Sequence, residues 1–267
     1  MPILKLKVLD ANGNMLSESR PGERVSLVHS AAYAPGDRIT LETECPGLFC
    51  VVQLEDSMPP ALVFVRGTGA DFPVPPAGNR PNYSPKSFTG GKHRICARTA
   101  EDAEIEARRN LALNPYDTHG EHGLYPHASA NVETRGEAVF AARNAIDGIY
   151  ENSCHGEWPY QSWGINRDPE ARLKLSFGRP VTVDEARLTL RADYPHDSHW
   201  TRATLAFSDG GSETFSLTDS AAPQTFSFAP HMVEWAELRD LVKAEDESPF
   251  PALTQLELWG TEAEKKK

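Results

Sequence analysis

No stretch of this 267-residue chain approaches the roughly 20 consecutive apolar residues that a membrane-spanning helix needs. Nor is there an excess of positive charge. Lys and Arg number 27 against 38 Asp and Glu, a formal net charge of −11, and such a surface repels phosphate backbones and makes nucleic acid an unsuitable partner. The motifs that announce common chemistry are missing too: no Gly-x-Ser-x-Gly elbow, no Walker loop, no Rossmann glycine fingerprint. The four cysteines (Cys45, Cys50, Cys96, Cys154) form no CxxC pair. They read as small buried hydrophobes, with a Cys45–Cys50 or Cys45–Cys96 disulfide as the alternative. The first residues carry no apolar core of secretion-signal length, so the cytoplasm is the expected location. Tryptophan is absent from the first half: all five (Trp158, Trp163, Trp200, Trp235, Trp259) lie in the second.

What is present is proline, 21 residues against an average of about 5%, together with short alternating apolar runs. That combination favours a loop-rich β protein over a helical one. Period-2 or short buried runs fall at 3–9, Arg38–Glu44, Leu48–Glu55, Ala61–Arg66 and His93–Arg98, which predicts an N-terminal β-sandwich over 1–100. Residues 101–109, within a stretch that runs from Thr99 with acids early and arginines late, read as a short helical connector. Alternation then resumes: Leu173/Leu175/Phe177, Ala186/Leu188/Leu190 and Ala203/Leu205/Phe207 each present one apolar face, the mark of antiparallel sheets packed as a second sandwich over 110–261. Met232–Ala244 suits either helix or strand, and 262–267 reads as a frayed tail. The fold class is therefore all-β, with two sandwich domains. Charge divides unequally between them: residues 1–105 hold 11 basic and 12 acidic side chains, and the remainder 16 and 26.

Six pieces of the second half occur in a telling order: Asn110–Asn114, Asn144–Gly148, Trp163, Ala171–Val183, Leu205–Gly211 and Leu256–Gly260. In that order they resemble the discoidin, or coagulation-factor type C, family of galactose-binding-like domains. The resemblance implies a jelly roll whose loops at one end bind glycans. It also implies a structural calcium held by Asp147 and Glu257, the acids at the matching turn and final strand; no cofactor is otherwise required. The loop 149–162 departs from the family pattern, so the specificity of relatives does not transfer.

Sugar recognition needs a flat apolar face for ring C–H groups and fixed polar groups for hydroxyls. Two loops hold that mixture, His155–Trp163 and Arg191–Arg202. From them Trp158, Tyr160, Trp163 and Trp200 are predicted as platforms or their neighbours, and Arg191, Asp193, His196, Asp197 and His199 as hydroxyl partners. Asn131, Glu133 and Arg135 are candidates for the same end. His196/His199 and His119/His122 have a ligand-like spacing, with Cys154 and His155 as further donors. Zinc needs four converging ligands, however, and surface histidines are the plainer reading. Non-catalytic carbohydrate binding is thus the leading function. The alternatives are a protein-interaction or homo-oligomeric assembly module using the same loops, and, behind it, a glycosidase-like enzyme built on a pair such as Asp193/Asp197 or Glu133/Glu157.

Overall fold

The computed structural model describes residues 2–76, 80–120, 122–152, 156–192 and 198–263. It is almost entirely strands, and its buried hydrophobic residues form two cores. The first is built from β1 (Leu4–Leu9), β2 (Met15–Glu18), β3 (Arg24–His29), β4 (Arg38–Thr43), β5 (Leu48–Gln53), β6 (Ala61–Val65), β7 (Gly69–Pro73) and β8 (His93–Thr99). One sheet runs β2-β1-β4-β7. The strict alternation of β1, with Leu4, Leu6 and Val8 inward and Lys5 and Lys7 outward, is what drives it onto the second sheet. That second sheet runs β6-β5-β8-β3, and its Val52, Val63, Val65 and Ile95 complete the core.

A helix of five residues, α1 (Asp102–Glu106), lies within the predicted connector. Its capping box closes through Glu101 and Glu104, and Arg98 grips the Glu104 carboxylate with two bonds of 2.6 and 2.7 Å. The chain then crosses between the two cores more than once. β9 (Arg109–Asn110) pairs with the final strand of the second half, and Leu111 and Ala112 enter the second core. Tyr116 and Leu124 return to the first core, where β10 (Leu124–Tyr125) adds an edge strand beside β6. Only after that does the chain commit to the second sandwich.

The second sandwich comprises β11 (His127–Ala130), three turns of 3-10 helix, β12 (Trp163–Gly164), β13 (Leu173–Leu190), β14 (Trp200–Phe207), β15 (Ser212–Ser216), β16 (Gln224–Lys243) and β17 (Ala252–Glu262). The two long strands bend and serve both layers. Leu173–Ser176 of β13 pairs with β11 and with Trp235–Leu238 of β16, whereas its residues from Val181 to Leu190 pair with β17 and with the first half of β16. Leucines 173, 175, 188, 190, 205, 238, 256 and 258 are all buried between the layers, each contributing about 1.5–3 kcal/mol. Met232–Ala244 is thereby settled as strand through Lys243. Glu262, expected in a frayed tail, is instead the last residue of β17 and receives the guanidinium of Arg179 at 2.6 Å as well as that of Arg109. Cys45, Cys50 and Cys96 are free thiols, and burial pushes Cys50 up to about 12; Cys154 lies outside the described residues.

The two sandwiches are locked by polar and aromatic contacts. Arg143 is buried with its guanidinium donating to the carbonyls of Asp117 and Pro115 and lying 4.8 Å from the Tyr83 ring centre. Asn82 donates to Asn144 at 3.2 Å. Arg179 lies across Phe49 and Phe64 of the first sandwich, at 4.8 and 5.1 Å. Where β13 bends, Gly178 has φ +71° and sits so close to Tyr125 that a Cβ would fall 2.6 Å from its ring.

Candidate functional site

One end of the second sandwich carries a cleft of about 150 Å³, at the point where β13 ends and β17 begins. The two strands are tied there by the Arg191 amide donating to the Ala252 carbonyl at 2.9 Å. Three further segments converge on it. The first is the turn Thr134–Phe140, in which Arg135 adopts φ +53°. The second is Ile165–Arg167, where Asn166 and Arg167 both adopt left-handed backbone, φ +50° and +63°. The third is Phe250–Ala252, leading into β17.

That strained second turn is held by its neighbours. The Asn166 amide donates to the Thr134 hydroxyl at 2.9 Å, and the Asp168 amide to the Ile165 carbonyl at 2.9 Å. Gly164 lets the two segments approach, since a Cβ there would come 2.6 Å from Thr134 Oγ1. The result is a floor of Phe140, Ile165, Pro251 and Ala252 with Phe250 at the side, ringed by Arg135, Arg167 and Arg191. Arg135 forms a two-bond pair with Glu137, at 2.6 and 2.8 Å, and lies 5.6 Å from the Phe140 ring centre. Arg167 lies 4.4 Å from that of Phe250. Arg191 is 1% exposed, with its guanidinium 5.7 Å from the Tyr160 ring centre. Burial, reinforced by Glu137 and opposed by Arg191, holds the Tyr160 phenol above its ordinary range.

The residues predicted from sequence separate into three groups. Arg191 lines the cleft, Tyr160 stands beside Arg191, and Trp158 is half-buried in the same loop. Asp193, His196 and Asp197, like His155, lie outside the described residues. In the third group Trp163 and Trp200 are corrected by the structure. Trp163 and Trp200 are each 0% exposed in the core, with ring centres 6.2 Å apart, and Trp163 donates to the Val132 carbonyl at 3.0 Å. Neither indole offers a face to a ligand, because each stands on a strand, β12 or β14, at an inward position. His199 is half-buried, with Nδ1 3.8 Å from Asp219. Of the additional candidates only Arg135 reaches the cleft; Asn131 bonds Arg172 and Glu170 instead, and Glu133 accepts from the Ala142 amide. Thr134, Phe140, Asn166, Arg167 and Phe250 were not anticipated. The positive-φ Asn166-Arg167 pair had no residue-type signal, and Phe250 lies in a polar stretch.

Asp147 and Glu257 do not fit a calcium ion, which asks for six to eight oxygen ligands around one point. Hydrogen-bond donors converge on Asp147 instead. The Ile149 amide and Gln255 Nε2 reach Oδ1 at 2.9 and 2.8 Å, and Gln161 Nε2 reaches Oδ2 at 3.2 Å. The same Gln255 nitrogen donates to the carbonyls of Asn144 and Ile149, so it fills the point on which those oxygens converge. Burial pushes Asp147 up to about 6, further disfavouring a bare carboxylate there. Glu257 accepts from the Trp259 indole at 2.7 Å. Among the described residues no group of three His, Cys, Asp or Glu is placed to hold a metal.

No family model and no curated protein sequence matches the chain. Among solved structures it is similar to carbohydrate-binding modules and lectin domains. Chitosan-binding module 1 of a chitosanase/glucanase from Paenibacillus sp. IK-5 is 19% identical, covering 57% of this chain and 99% of that one, with a TM-score of 0.38. The lectin domain of lectinolysin complexed with Lewis B antigen is 17% identical, covering 57% and 97%, with a TM-score of 0.42. The family 32 module of NanJ from C. perfringens, in complex with galactose, is 19% identical, covering 49% and 91%, with a TM-score of 0.38.

Proposed function

We propose that the chain binds carbohydrate, without transforming it, in the cleft between the end of β13 and the start of β17. The observation that carries this reading is the cleft's composition: apolar side chains beside three arginines, with no carboxylate among its described lining residues. Sugars are recognised by such a pairing of C–H-compatible surface and N–H donors. Glycosidic hydrolysis, by contrast, needs two carboxyls about 5–9.5 Å apart across the bond, and the described lining residues supply neither. The volume is small beside the roughly 300–1,000 Å³ of pockets that engulf a drug-sized ligand, which suits one sugar ring or a chain end.

The test is a glycan-array screen of the intact protein and of Tyr160→Ala and Phe250→Ala, with and without EDTA. Binding by the intact protein, weakened at least tenfold in Phe250→Ala and unchanged by EDTA, is the expected result. A blank array from well-folded protein would turn the reading towards an assembly module.

A further inference from the structure

Resting on the reading of this cleft as a saccharide site, we propose that the sugar it takes is acidic: a uronate-type residue, presented singly at a chain end. Three arginines line the cleft and none of its described lining residues is acidic, in a chain with 38 acids to 27 bases; Glu137 compensates Arg135, so Arg167 carries the charge on which the proposal rests. Local charge runs against global charge, and that contrast marks a place built for an anion.

The rings in the cleft point the same way. Both aromatic rings that line the cleft carry a guanidinium beside them. Arg135 lies over Phe140 and Arg167 over Phe250. Each ring therefore serves as a seat for a guanidinium, fixing its plane and leaving its N–H edge for a ligand. Arg135 spends Nε and Nη2 on Glu137, so Nη1 remains to it. Arg167, whose guanidinium has an aromatic neighbour in Phe250 and no ion pair among the described residues, is exposed, although its backbone is held in the left-handed region. A planar guanidinium with a free fork meets a carboxylate through two parallel bonds, which a hydroxyl cannot match.

The charge balance also sets the number of acidic residues recognised. With 16 basic and 26 acidic side chains after residue 105, a long polyanion would be repelled by the surface around the cleft. A single terminal acid brings one charge to the exposed guanidinium of Arg167 and meets far less of that surface.

The experiment is a calorimetric titration of the full chain with methyl β-D-glucuronide and methyl β-D-glucoside, which differ only at C6. It is repeated with the 6-sulfated glucoside, at 50 and 500 mM salt, and with Arg167→Ala and Arg167→Lys proteins whose melting temperatures match the native one. The expected result is at least tenfold tighter binding of the glucuronide than of the glucoside, a preference that shrinks in high salt, vanishes in Arg167→Ala and is partly kept in Arg167→Lys. Equal binding of glucoside and glucuronide would overturn the acidic assignment while leaving carbohydrate binding intact. Equal binding of sulfate and carboxylate would overturn the uronate assignment. No response to any of these sugars, together with a blank glycan array, would overturn both readings.

Discussion

Gln255 holds the turn Asn144–Gly148 against β17 with a single amide. Its nitrogen lies 2.8 Å from the Asn144 carbonyl, 2.8 Å from Asp147 Oδ1 and 3.1 Å from the Ile149 carbonyl, while its oxygen accepts from the Gly148 amide at 3.0 Å. Replacing it with alanine strands buried acceptors at a cost of about 1–3 kcal/mol, so Gln255→Ala should lower the denaturation midpoint accordingly. EDTA, in the same assay, should leave the native midpoint where it is. A second buried group gives a pH signature. His29 stacks against Tyr33 and His93, and burial, with His93 adding to it, holds its pKa below the usual 6.5. A depressed histidine favours the neutral form, so its contribution is fully present above pH 6.5 and is lost as pH falls through the folded value. Asp147 has the opposite sign, because its raised pKa makes folding favour the protonated form between the usual 3.8 and about 6. Comparing native and His29→Gln proteins isolates the histidine: between pH 7.5 and 5 the native protein should lose more thermal stability than the variant.

Among the elements, strands with one dry face declared themselves through alternation, and β4, β5, β6 and β8 fall where their period-2 runs lie. The second arm of β16 did not, for a physical reason. Asp240 adopts φ +51°, and the pairing with β14 slips register between Arg202 and Thr204, so the inward step lengthens to three residues from Leu238 to Leu241 and breaks the alternation. The site was legible only in part. Ring-rich loops drew attention to the end of the sandwich that carries the cleft, and Arg191 and Tyr160 are found there. Yet residue type alone does not distinguish an inward tryptophan opening a strand from an outward one on a loop, and Trp163 and Trp200 were the inward kind. Arg167 and Phe250 meet across the fold with 82 residues between them, a proximity no local pattern carries. The bend in β13 is itself testable. Gly178→Ala would force a methyl group against the Tyr125 ring from a left-handed backbone, costing about 1–3 kcal/mol. Urea denaturation measures that loss, and a midpoint within error of native would show that the bend relaxes freely.

At the scale of the whole molecule the two sandwiches are stitched rather than strung. The chain visits the second core at Leu111 and Ala112, returns to the first through Tyr116 and Leu124, and only then leaves it. The Tyr116 hydroxyl donates to the Pro59 carbonyl at 2.8 Å, and β10 covers the edge of β6. A fragment ending at residue 109 lacks these contacts, whereas one ending at 126 keeps them. The longer fragment should unfold at higher urea, and equal midpoints would mean that the return loop adds nothing to the first sandwich.

The same stitch sets a schedule for biosynthesis. As the chain leaves the ribosome, β1 to β8 emerge before the strand that closes their sheet, and for that interval β6 presents an unpaired edge to solvent or to a neighbouring nascent chain. Residues 110–125 end this exposure just before the second sandwich starts to appear. A pause in translation within that stretch would therefore lengthen the vulnerable interval, while the same pause after residue 126 would fall on a first half already sealed.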